Sequence, residues 1–85
     1  MKWVAIKDKW GVIHLINLEN VISISRLTDN EEPAILINAN EMKTEGRSAH
    51  QTERSLNYLK IIFDTPERRD EVFKRLFEMT VATYI

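Results

Sequence analysis

Side chains able to do covalent chemistry are sparse in this sequence. There is no cysteine, so thiolate nucleophiles, thiolate metal ligands and disulfides are all excluded. The two histidines, His14 and His50, do not form a His-x-x-x-His pair on one helix face, and no metal site is expected. His14 reads as a strand histidine at an interface or a partly solvated surface, and His50 as a solvated loop residue. Ser23, Ser25, Ser48 and Ser55 lack the Gly-x-Ser-x-Gly turn that exposes a nucleophile. Glycine occurs only at Gly11 and Gly46, too few for a phosphate-cradling loop or a dinucleotide fingerprint. Asp29–Glu32 is acidic but lacks the alternating ligands and central glycine of a calcium loop. Arg68 and Arg69 are neutralised by Glu67, Asp70 and Glu71, and read as a surface ion-pair lattice. Catalysis and bound cofactors are therefore not expected, nor is a small-molecule substrate.

Binding chemistry is better represented. Trp3, Trp10, Ile13, Leu15 and Tyr58 are large side chains in or beside short apolar runs, and they are the expected contacts for a protein partner or a second copy of the chain. A second possibility is a single-stranded nucleic acid, with bases stacked on sheet aromatics and phosphates met by Lys43, Arg47, Arg54 and Lys60. Between Lys43 and Lys60 four basic residues face two acidic ones, whereas residues 1–42 hold four basic and six acidic. The formal charge of the whole chain is −1, without the basic excess of a dedicated duplex-DNA or anionic-membrane binder.

The elements that must position these residues follow from short runs of β-branched and aromatic residues divided by polar punctuation. Lys2–Lys7 and Val12–Ile16 form a first hairpin. In its turn, Asp8-Lys9-Trp10-Gly11, Asp stands at the first position and Gly at the fourth, which suits a type I turn closed by a left-handed glycine. Asp8 then lies opposite Val12, collecting Val4, Ile6, Val12, His14 and Ile16 on one face and Trp3, Ala5, Ile13 and Leu15 on the other. Both faces are apolar. Val21–Leu27 alternates Ile22 and Ile24 with Ser23 and Ser25. Pro33 opens Ala34–Ala39, which suggests an edge strand. Residues 40–54 form a long polar loop, and Leu56–Phe63 returns to strand character.

After Phe63 the period changes. Thr65 is a helix N-cap, Pro66 suits the first helical position, and Glu67 favours the positive end of the helix dipole. Val72, Phe73, Leu76, Phe77 and Thr80 recur at helical spacing. Asp70–Lys74 and Glu71–Arg75 are spaced as surface pairs. Residues 81–85 suit helix, strand or a frayed end alike.

The expected architecture is a single α+β domain over residues 1–85. It comprises a five-stranded antiparallel meander, flat or curled towards a barrel, with one C-terminal helix on one face. Gly11, Leu15-Ile16-Asn17 and Asn20-Val21-Ile22-Ser23-Ile24 follow a Lys-rich first strand in an order that resembles small bacterial sheet-then-helix proteins such as FlbD-like and bacterial PH-like domains. The likeness spans the first quarter of the chain, the loop at 40–54 departs from it, and it transfers no functional residue. A cytoplasmic setting, a homodimer or protein partner and no membrane association complete the expectation.

Overall fold

The computed structural model describes residues 2–40, 42–45, 53–54 and 58–80. The first hairpin forms as its turn chemistry requires, with β1 (Trp3–Lys7) antiparallel to β2 (Ile13–Asn17) and Ile6 opposite His14. Asp8 N donates to Val12 O at 2.9 Å, Gly11 N donates to Asp8 O at 3.1 Å, and Gly11 takes a φ of +84°. That φ lies in the region where a Cβ is penalised, which is why glycine stands there.

A 3-10 turn at Leu18–Asn20, capped by Asn17 Oδ1 accepting from Glu19 N, redirects the chain into β3 (Val21–Leu27). β4 (Ala34–Ala39) and β5 (Met42–Glu45) follow, then β6 (Glu53–Arg54), β7 (Tyr58–Ile62) and helix α1 (Pro66–Met79).

The strands do not make one meander. They form an antiparallel three-stranded sheet, β1-β2-β5, and an antiparallel four-stranded sheet, β3-β4-β7-β6. The five expected strands are split between them, because two stretches of chain each cross from one sheet to the other. β2 passes through the 3-10 turn into β3, and β4 passes through residues 40–41 into β5. Leu15 pairs with Lys43 in the first sheet, and Val21 pairs with Ala39 in the second. The supposed loop at 40–54 thus supplies two strands, β5 and β6; residues 46–52 lie outside the described residues. The inference that Ala34–Ala39 is an edge strand is also corrected. β4 is flanked by β3 and β7, and Pro33 is tolerated because it precedes the ladder rather than entering it.

The inward faces of both sheets and one face of α1 share a core. Ile6 and Ile16 come from the first sheet, Ile35, Ile37, Leu59 and Ile61 from the second, and Val72 and Leu76 from the helix. The second sheet, the first sheet's inner face and α1 cover one another, and Lys9 N donates to Ile62 O at 2.9 Å, joining the two sheets at one corner. Of the two apolar faces expected for the first hairpin, the one bearing His14 and Ile16 is buried. The one bearing Trp3, Ala5, Ile13 and Leu15 is half-buried to exposed.

Helix α1 begins where the cap was expected, with Thr65 Oγ1 accepting from Arg68 N at 3.1 Å, a cap typically worth ~1 kcal/mol. Val72 and Leu76 are buried and Phe73 and Phe77 half-buried. The arginine pair does not form a uniform surface lattice. Arg69 is buried, donating from Nη1 to Leu27 O at 2.9 Å and to Asp29 O at 3.3 Å, and from Nε to Asp70 Oδ1 at 3.0 Å. It ties the β3–β4 loop to the helix. Arg68 stays outside and bonds Glu71 Oε1 at 2.7 Å. Residues 81–85, whose conformation the sequence left open, lie outside the described residues.

Candidate functional site

The second half of α1 and β3 run side by side, and between them lies a groove of about 610 Å³. Its walls follow from two periodicities. The helical stripe supplies Phe73, Leu76 and Phe77, and β3 supplies Val21, Ile22 and Ile24. A β-bulge between Val21 and Ser23 breaks the expected alternation of Ile22 and Ile24. Ile24 packs against the core, whereas Ile22 is 62% exposed. Such a bulge adds local twist and re-aims a side chain.

Polar contacts flank the groove at each end. At one end Lys2 Nζ donates to Met79 O at 3.1 Å, and Lys2 N donates to Glu19 Oε1 at 3.1 Å. No basic residue occupies the last turn of α1, so Lys2 brings a cation to the negative end of the helix dipole from another part of the chain. At the other end Arg26 Nη1 lies 3.4 Å from Asp70 Oδ1, and its guanidinium sits 5.5 Å from the centre of the Phe73 ring. The Asp70 carboxyl is held below the ordinary value of 3.8, chiefly by the hydrogen bond from Arg69 and further by the charges of Arg69 and Arg26, with desolvation opposing. Among the described residues, no strand pairs with the outer edge of β3. That edge presents backbone donors and acceptors along seven residues.

The second polar constellation is internal. Asp8 Oδ1 accepts from Trp10 N at 2.9 Å and from Val12 N at 3.0 Å, while Asp8 Oδ2 lies 3.1 Å from His14 Nε2. Both side chains are buried, His14 completely. His14 is therefore not a surface or interface histidine. An Asp–His pair is part of the machinery of hydrolases, but a histidine with no solvent-exposed surface cannot meet a substrate, and here the pair organises the turn. Among the described residues, no group of three or more His, Asp or Glu side chains could hold a metal ion.

The residues singled out from the sequence are dispersed. Trp3, Ile13 and Leu15 stand on the outer face of β1 and β2, with Ala5 opposite Leu15. Trp10 is at the hairpin tip, 42% exposed, with the Lys9 ammonium 5.2 Å from its ring centre. Tyr58 is exposed on β7, in the other sheet, opposite Asn38. The five do not form one patch.

Of the basic set, Lys43 is on β5 in the first sheet, while Arg54 and Lys60 are on β6 and β7 in the second. Lys60 Nζ bonds Glu32 Oε1 at 2.6 Å. Arg47 lies outside the described residues, as do His50, Ser48 and Ser55.

Sequence reading missed the roles of Arg69, of the Asp8–His14 pair and of Phe73 and Phe77 as a groove wall. One signal was available: the hairpin register already set His14 among Val4, Ile6, Val12 and Ile16, an apolar company that implies burial. Among the described residues, no helix is long and apolar enough to cross a membrane. Comparison with protein-family models, with curated proteins and with solved structures gives no match.

Proposed function

We propose that this chain is a non-catalytic protein-interaction domain that takes an extended segment of a partner protein as an added strand along β3. The observation that carries this reading is the open β3 edge lying directly beside an apolar groove. An added strand satisfies backbone groups on the edge, and its alternate side chains, ~6.6–6.8 Å apart on one face, enter the groove against Phe73 and Phe77. Main-chain pairing supplies affinity, and the groove selects apolar residues at every second position.

Pairing of β3 with β3 of a second copy is the competing occupant. The bulge at Val21/Ser23 and the charge of Arg26 are the devices by which edge strands resist such pairing, so a heterologous partner is favoured. The cysteine-free composition fits a reducing, cytoplasmic setting.

The test is selection from a library of ten-residue peptides, followed by mapping of amide shifts. Selected peptides should alternate apolar and polar residues, perturb the amides of Val21–Leu27, and lose at least tenfold in affinity for the Phe77→Lys variant. Shifts confined to Trp3, Ile13 and Leu15 would overturn the assignment. So would concentration-dependent dimerisation abolished by Phe77→Lys, or binding seen only with a chain ending at Thr80. A single-stranded oligonucleotide arm, read at Tyr58 and Lys60, tests the nucleic-acid alternative in the same experiment.

A further inference from the structure

We infer that a second site, at the opposite end of α1 from the β3 groove and independent of it, binds a phosphate monoester group. It is a pocket of about 360 Å³ between the β1–β2 turn and the first turn of the helix. Lys7 and Lys9 reach it from the hairpin, and Arg68 reaches it from α1. The sequence separates these cations by some sixty positions. The fold joins them because Arg69 turns inward while Arg68 stays at the surface, and because Lys9 N is anchored on Ile62 O.

Among the described residues, neither Lys7 nor Lys9 has a carboxylate within ion-pairing distance. Arg68 uses Nη1 on Glu71 and keeps its remaining N–H groups for a ligand. Two acidic residues also line the pocket. The Asp8 carboxylate is already occupied by Trp10 N, Val12 N and His14, so Asp64 is the one opposing charge at the site.

Three cations against one carboxylate match a dianion better than a single carboxylate. The volume admits a phosphate with a small organic remainder. The backbone donors here are spent: Gly11 N on Asp8 O, and Arg68 N on Thr65 Oγ1. Recognition therefore rests on side-chain ammonium and guanidinium groups and weakens as salt screens them.

The experiment is an amide-shift titration at fixed ionic strength with inorganic phosphate and with glycerol 3-phosphate. A sedimentation arm uses phosphatidylcholine vesicles with and without phosphatidic acid. Saturable shifts at Lys7–Gly11 and Asp64–Arg68 are expected with glycerol 3-phosphate. The paired change Lys7→Gln and Lys9→Gln should weaken binding about tenfold, whereas Asp64→Asn should strengthen it about threefold. The opposite signs separate charge recognition from a structural disturbance. Co-sedimentation only with phosphatidic acid would place the same chemistry on a lipid headgroup. Equal shifts with chloride, or weaker binding by Asp64→Asn, would overturn the inference.

Discussion

Replacing Asp8 by alanine removes one carboxylate from under three donors at once. Val12 N and His14 Nε2 are buried, and Trp10 N is partly so. A hydrogen bond to a charged group contributes about 1.5–3 kcal/mol, and a buried donor left without a partner costs about 1–3 kcal/mol. Those two ranges describe the same loss from two sides and are not summed. With two donors fully orphaned and one able to find water, the expected destabilisation is about 3–5 kcal/mol. Stability for a domain of this length is about 4–13 kcal/mol, so the variant should be marginal.

Urea denaturation followed by circular dichroism, with the slope held common to all variants, measures this loss directly. Asp8→Asn keeps an acceptor for both amides and should cost only about 1–2 kcal/mol. Combining Asp8→Ala with His14→Leu should recover part of the loss, because the buried imidazole no longer lacks a partner. A cost below about 1 kcal/mol for Asp8→Ala, or no difference between Ala and Asn, would show that the turn is held by its glycine and strand pairing rather than by the carboxylate.

Two further outcomes are expected. Arg69→Met should destabilise the fold by about 2–3 kcal/mol and speed amide exchange around Leu27–Glu31, whereas Arg68→Ala should change stability by no more than about 0.5 kcal/mol. The Asp70 carboxyl should titrate below 3.8 in the folded chain by carbon-detected NMR, and Arg26→Ala should move its midpoint upward. Because its folded value is depressed, the stabilisation linked to Asp70 is present above the unfolded value and disappears as pH falls through the folded one.

Local chemistry made the hairpin and the helix start legible. Asp8 and Gly11 fix a turn within four residues, and Thr65-Pro66-Glu67 fixes a cap within three, so neither depends on distant chain. β5 and β6 were illegible for the converse reason. Met42–Glu45 and Glu53–Arg54 carry no apolar alternation, and they become strands because β2 and β7 offer them edges to pair with. Pro33 misled for a related reason. Its missing N–H does forbid a place inside a ladder, but one residue of offset frees the following strand to be central. The candidate groove was half legible: the helical stripe that includes Phe73 and Phe77 was evident, but its placement beside the unpaired side of β3 required the strand order. Arg69 was invisible because its partners, the carbonyls of Leu27 and Asp29, lie some forty residues away in sequence.

The passage of two chain stretches between sheets has a consequence for how the molecule assembles. Residues 13–27 and 34–45 are antiparallel partners over most of their length, so together they behave as one long hairpin whose tip is the loop at Thr28–Pro33. Pairing can nucleate at that tip, where loop closure is least costly, and proceed past the bend by small entropic steps. β7 and the helix join a template that is already in register. Arg69, bonded to the carbonyls of Leu27 and Asp29, fastens the helix to that same tip and thereby couples the last element to form with the point where pairing begins.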